Sequence, residues 1–208
     1  MWSSELPLSL LWREESFEDS DQPEPRINET YVAPSWSWAS AIYPVQEPDL
    51  TPAEIIAEVV NIADTPAAAD IYGQILDGRL ALKGLALDGM IRHISNSFFG
   101  KTMTQIQLLS DDGTSVPGMD YEGAKISFRA DYRLRQAWQN NDVAIQKVVC
   151  LAIKSTNSME HGRVLDCIVL RESQPEKGLY ERVGMVTCMD SLAESERVFK
   201  RSAEVTII

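Results

Sequence analysis

The feature that most constrains this chain is its rhythm: short apolar runs of strand length, broken repeatedly by turn-forming residues. Asp77-Gly78 is the strongest of these breaks, because an aspartate–glycine pair suits the positive φ angles of a two-residue hairpin turn. It predicts a hairpin between Ile71–Leu76 and Arg79–Leu87. Leu80 and Leu82 alternate onto one face and Leu85 and Leu87 onto the other, so the switch at Gly84 predicts a β-bulge and a bend. Asp88-Gly89 and Asp112-Gly113 predict further turns, setting off Met90–Ile94 and Met103–Leu109. Strands are expected at Lys125–Tyr132, Ala144–Ile153, Val164–Arg171, Leu179–Cys188 and Glu204–Ile208. The polar stretch S-Q-P-E-K-G makes the turn before Leu179. Thr51-Pro52-Ala53-Glu54 carries a helix-start signal, but the β-rich run from Ile56 to Ile62 limits it to one turn before a strand. Leu134–Asn140 reads as a short helix or a loop, and the capping box Ser191-Leu192-Ala193-Glu194 opens a helix to about Arg201. About ten short strands with one or two short helices give a mainly-β fold. The expected architecture is a single domain over residues 1–208, a β-barrel or a curled antiparallel sandwich. Leu80, Leu82, Val148, Cys150, Ile168, Val183 and the C-terminal strand are expected to share one core.

With 208 residues and 44% hydrophobic content, the chain has the means to bury a substantial core. Its 31 acidic and 19 basic residues leave a formal charge of −12. The densest basic patch, Arg129–Arg133–Arg135, is interrupted by Asp131. Nucleic acid and anionic membrane surfaces are therefore poor partners. Leu6–Trp12, read as a strand, is short, contains a proline and follows Glu5, so it is neither a signal peptide nor a membrane span. Cys150, Cys167 and Cys188 each lie in an apolar run with no close spacing and no neighbouring histidine. They are expected as reduced core thiols of a cytoplasmic protein, not as disulfides or a zinc site. Glu14–Glu29, rich in Glu, Asp, Ser and Pro, is expected as an acidic surface loop or flap.

Trp36 and Trp38 stand two residues apart in Y-V-A-P-S-W-S-W-A-S, from Tyr31 to Ser40, so an extended backbone places both indoles on one face. Each indole buries roughly 150–250 Å² and keeps a donor N–H, which suits a core anchor or the floor of a pocket. Together with L-L-W-R at Leu10–Arg13, this segment resembles the signature that closes the N-terminal domain of fungal heterokaryon-incompatibility (HET-domain) proteins. D-I-Y-G-Q-I-L-D-G-R-L-A-L-K-G (Asp70–Gly84) and Y-E-R-V-G-M-V (Tyr180–Val186) look like phrases of the region that follows that domain. The resemblance runs from about Leu10 to the C-terminus. It implies the C-terminal HET-type region without the HET domain itself, which should lie upstream of L-L-W-R. Short proteins of this kind resemble pieces recruited into fungal biosynthesis, and the resemblance implies a terpenoid pericyclase, such as a norbornene-forming Diels–Alderase.

The sequence contains no glycine-rich phosphate loop, H-E-x-x-H, G-x-S-x-G or dinucleotide fingerprint, and Asp64 and Asp70 are too sparse for a metal. No cofactor and no metal is therefore expected. Catalysis would rest on holding a hydrophobic small-molecule substrate in a reactive conformer while a donor polarises a carbonyl. His93, in I-R-H-I, and Tyr132 are the candidate catalytic donors. Trp36, Trp38 and Tyr43 are the candidate substrate-binding walls. His161 falls in a polar loop. The expected function is a cofactor-free cyclase or pericyclase of fungal secondary metabolism. The alternatives are a non-catalytic interaction or regulatory module and a carrier of a small apolar ligand.

Overall fold

The computed structural model describes residues 6–14, 33–46, 53–66, 75–96, 101–108, 126–131, 134, 145–158, 162–189 and 201–208. The chain opens with one helical turn, α1 (Leu6–Ser9), then β1 (Arg13–Glu14), which pairs with β2 (Val45–Gln46). The larger sheet comprises β3 (Glu54–Ile55), β4 (Glu58–Pro66), β5 (Ile75–Asn96), β6 (Lys101–Leu108), β7 (Ile126–Ala130), β8 (Ile145–Ser158), β9 (Gly162–Gln174), β10 (Leu179–Met189) and β11 (Arg201–Ile207). The fold is mainly β, as expected. Neighbouring strands run β5–β8–β9–β10–β11 and back to β5, so the pairings close a ring. Every pair in that ring is antiparallel except β10 with β11, which are parallel over a short register at Leu179↔Thr206 and Tyr180↔Ile207.

The ring depends on the length of β5. Its first half pairs with β4 and β11, and its second half with β6 and β8. The hairpin expected at Asp77-Gly78 does not form: Asp77 and Gly78 lie within β5, opposite Thr65 and Asp64. Asp88-Gly89 likewise continues the strand, with Val149 and Val148 opposite. At Asp77-Gly78 the β4 ladder, and at Asp88-Gly89 the β8 ladder, carries the strand through, and that outweighs the local turn preference of two residues. The bulge expected at Gly84 is also absent from its pairing with β11, where Gly84 meets Ala203 in unbroken register. The register shifts instead at Val60 of β4, across the ladder. Gly84 serves close approach: a Cβ there would lie 3.3 Å from the Ala152 carbonyl oxygen and 3.5 Å from the Ala57 Cβ.

The change of parity along β5 has a different cause from a bulge. Leu80, Leu82 and Ala86 enter one apolar cluster, while Leu87 and Ile91 enter another on the opposite face. The central strands β8 and β9 are buried on both faces as well, with Cys150, Cys167 and Val169 on one side and Leu151, Ile168 and Leu170 on the other. The single core expected from the sequence is thus two. Val148, Cys150 and Val183 belong to the first, and Leu80, Leu82, Ile168, Val205 and Ile207 to the second. All three cysteines are free and buried.

The second cluster is covered by the N-terminal segment. Leu10 and Leu11 are buried in it, with Leu6, Leu8 and Trp36 packed against it. Leu6–Ser9 forms α1 rather than the expected strand, and the Leu10 and Leu11 amides close a turn on the Pro7 and Leu8 carbonyls. Glu14 ends β1 instead of opening the acidic loop, whose remainder lies outside the described residues. The strand expected after Thr51-Pro52 is present as β3 and β4. The turn before Leu179 is a short 3₁₀ helix, Pro175–Lys177, closed by Gly178 at φ 63°. Arg201 begins β11, so a helix from Ser191 would have to end before it; 190–200, Asp112-Gly113, His161 and most of Leu134–Asn140 lie outside the described residues. Among the described residues, no helix is long and apolar enough to cross a membrane.

Candidate functional site

Residues 33–40 of the tryptophan segment do not form a strand. Ser37 donates its amide to the Pro34 carbonyl at 2.9 Å, and its hydroxyl accepts from the Ala39 amide at 3.3 Å. Residues Trp38–Ser40 then form a 3₁₀ turn, and the Ser40 hydroxyl donates to the Ser37 carbonyl at 2.7 Å. Serine hydroxyls offer the backbone local partners that compete with a sheet ladder, and here they win. The two indoles part company as a result. Trp36 is half-buried against the second apolar cluster, whereas Trp38 is 63% exposed. Tyr43 is buried.

What this segment builds is a seam with β10. Arg182, side chain fully buried, lies with its guanidinium carbon 3.6 Å from the centre of the Trp12 ring. Its Nη2 donates to the Trp12 carbonyl at 2.6 Å, and its Nη1 stands 3.1 Å from Asp131 Oδ2. Its backbone amide donates to the Ser35 hydroxyl at 3.0 Å, and that hydroxyl donates in turn to the Ile208 carbonyl. The Trp12 indole N–H donates to the Trp36 carbonyl at 3.1 Å, and the Ile42 amide donates to Glu14 at 3.0 Å.

Two local features aim these groups. The register between β9 and β10 slips at Val183, the residue after Arg182, and such a bulge re-aims the neighbouring side chains. Gly184, next along, lets β7 lie close: a Cβ there would collide with the Arg129 carbonyl and come 3.0 Å from the Phe128 ring. That approach brings Asp131 beside Arg182, and the Asp131 amide donates to the Val183 carbonyl at 2.9 Å.

A cleft of about 60 Å³ opens here, lined by Trp12, Glu14, Ser35, Ser40, Asp131 and Arg182 among others, with the Arg171–Glu181 ion pair also in its wall. Burial pulls the Arg182 pKa down, opposed by the carboxylates of Asp131 and Glu14. A guanidinium is not deprotonated in proteins, so Arg182 stays a cation even so. Its Nε–H and Nη1 have no hydrogen-bond acceptor among the described residues, although Nη1 faces Asp131 at ion-pair distance. A guanidinium with an unused donor can polarise a carbonyl oxygen; here the side chain is fully covered, so an oxygen in the cleft meets that donor only where the wall opens.

Of the residues expected at a site, Trp36, Trp38 and Tyr43 are not in the lining of this cleft. Trp36 contributes a backbone carbonyl beside it, Trp38 lies exposed on the segment whose Ser40 and Ala41 line it, and Tyr43 is buried elsewhere. His93 lies in β5 opposite Thr104; its side chain and Tyr132 lie outside the described residues. Sequence reasoning missed Trp12, Asp131 and Arg182 as a group. A signal was present: Trp12 stands in L-L-W-R, Ser35 in A-P-S-W-S-W-A-S and Arg182 in Y-E-R-V-G-M-V, three separate phrases that meet at this point. Among the described residues, no cluster of His, Cys, Asp and Glu has the makings of a metal site. Comparison with family models, with curated proteins and with solved structures finds no match.

Proposed function

We propose that this chain is a cofactor-free cyclase of the pericyclase kind, acting on a hydrophobic, terpenoid-like substrate that bears an electron-withdrawing carbonyl. In this reading it is a HET-type C-terminal region serving fungal secondary metabolism in the cytoplasm. The observation that carries it is Arg182: a buried cation, stacked on Trp12, whose Nε–H has no acceptor among the described residues and which lies in the wall of a cleft. A donor held ready in a dry site stabilises charge that builds on a carbonyl oxygen during ring closure. The rest of the acceleration comes from holding the reacting ends in one conformer.

The size of the cleft divides the substrate. About 60 Å³ admits one polar group, whereas a whole drug-sized ligand occupies roughly 300–1,000 Å³. The carbonyl therefore enters the cleft and the hydrocarbon lies outside it, with exposed Trp38 as its wall. The test is product formation from polyenes that carry a conjugated carbonyl, with and without the protein. Arg182→Gln is expected to slow turnover by about 10²–10³-fold. Trp38→Ala, at an exposed position, is expected to raise KM with the fold intact. His93→Ala and Tyr132→Phe, the donors expected from sequence, run beside them. No acceleration by the wild-type chain, or wild-type turnover by folded Arg182→Gln, would sink the proposal.

A further inference from the structure

Strand β4 pairs with β5 along one side, from Glu58↔Lys83 to Pro66↔Ile75, and ends the strand order of the sheet. Residues 60–65 are exposed without a break. Val60 is 46% and Ile62 47% exposed, and Leu76, across on β5, is 60% exposed. On its outer side β4 has no strand partner among the described residues. The free N–H and C=O groups of such an edge are a template for another extended chain, and proteins usually blunt it with lysine, proline or a bulge. Here the bulge sits at Val60 and the proline at Pro66, one at each end. Between them, Asn61-Ile62-Ala63-Asp64-Thr65 has neither guard, and no lysine.

We infer that Asn61–Thr65 is a docking edge for an extended, basic peptide segment of another protein, which adds to the sheet as a strand beside β4. Charge selects the occupant. The β4–β5 ribbon carries Glu58, Asp64 and Asp77 against Arg79 and Lys83. Arg79 is taken by Asp77 at 3.1 Å and Lys83 stands opposite Glu58, which leaves Asp64 in the open stretch unanswered by a basic neighbour on the ribbon. A second copy of this chain is the wrong partner: each copy carries −12, and pairing two β4 strands would gather Glu58 and Asp64 of both on one ribbon. Ile62 and Asp64, two residues apart in β4, share one face, so a segment with valine or isoleucine and lysine two residues apart answers both features. Its backbone completes the ladder, its apolar side chain covers Ile62, and its ammonium groups approach Asp64.

The experiment uses the full chain and the synthetic peptide Thr-Lys-Thr-Val-Thr-Lys-Thr, whose lysines and valine share one face, with the glutamate-for-lysine peptide as its control. Amide chemical shifts of the ¹⁵N-labelled protein report where each binds. The basic peptide should perturb residues 60–65 and bind about tenfold more tightly than the acidic one at low salt, the gap narrowing in strong salt. Asp64→Lys and Ile62→Asn, both at exposed positions, should each weaken it without shifting thermal unfolding. Equal binding of the two peptides, no perturbation at 60–65, or no binding at all would overturn the inference. So would sedimentation showing self-association that Asp64→Lys abolishes, because the occupant would then be a second copy.

Discussion

The core around Cys150, Cys167 and Cys188 and the side chain of Arg182 are both buried, yet different forces hold them. The first is assembled by neighbouring strands whose inward residues alternate with their partners, and its polar atoms are weakly polar thiols. Its cohesion scales with the apolar area removed from water and depends little on any one direction. The seam joins β10 to the N-terminal segment and the end of β7 through the Arg182 guanidinium, and to the tryptophan segment through the Arg182 backbone amide. Its cohesion depends on every partner being in place. A missing partner in the first leaves a void, whereas one missing in the second leaves a buried charge. The difference shows how the chain attaches irregular segments to a sheet that does not need them to form its ladders.

The largest expected break of this contrast is Arg182→Met. Removing one member of a buried ion pair costs about 3–5 kcal/mol, and here it also takes the donor from the Trp12 carbonyl and the cation from beside Asp131. Denaturant unfolding should register that loss. Limited proteolysis should find the N-terminal segment released before the sheet opens. If instead the sheet and the N-terminal segment unfold together with unchanged midpoint, the seam is not what attaches them.

Gly184→Ala should come next, at about 1–3 kcal/mol, because a methyl there has to push β7 away from β10. This substitution sharpens the comparison, since β7 serves both regions: Phe128 and Ala130 pack on the thiol core, while Asp131 holds Arg182. The expected signature is loss of stability together with altered fluorescence from Trp12. A stable Gly184→Ala chain with an unchanged spectrum would mean that β7 can shift without disturbing either.

The smallest effect is an alkaline pH dependence to which the thiol core contributes, together with Tyr180, whose pKa burial also raises. Hydrogen bonding to Cys188 and burial raise the Cys167 pKa, and burial raises that of Cys150. In the unfolded chain these thiols ionise near about 8.5. Below that pH both states hold the proton and stability is level. Above it the unfolded state sheds protons that the native state keeps, so stability falls as pH rises toward the folded values. Urea midpoints measured from neutral to alkaline pH should decline, and Cys167→Ala should flatten part of the slope. An unchanged slope in that variant would place the dependence elsewhere.

Much of the fold could be read locally. The β runs at β7, β8, β9, β10 and β11, the proline–glycine turn at 175–178 and the burial of the cysteines all follow from residue type and alternation. The misreadings share one origin. Asp77-Gly78 and Asp88-Gly89 are good turns by local preference, and Trp36–Trp38 is a good strand pair by alternation, but each was decided by distant partners or by neighbouring hydroxyls. The site was the least legible part. Trp12 and Arg182 are 170 residues apart, and no spacing rule links an arginine in one strand with a carbonyl in another segment.

The sequence by itself determined that this is a strand-rich chain with apolar runs long enough for a sheet, acidic overall, with thiols placed to be buried. Those are properties of single residues and near neighbours, where side-chain shape, charge and alternation act over a few ångströms. Only the tertiary structure decided that β5 runs unbroken through two would-be turns, that the apolar residues divide into two cores, and that three distant phrases meet at Arg182. Each of these depends on which strand lies beside which and in what register. Register is settled by burial summed over the whole sheet, because a slip of one residue would turn every side chain of a strand to its other face.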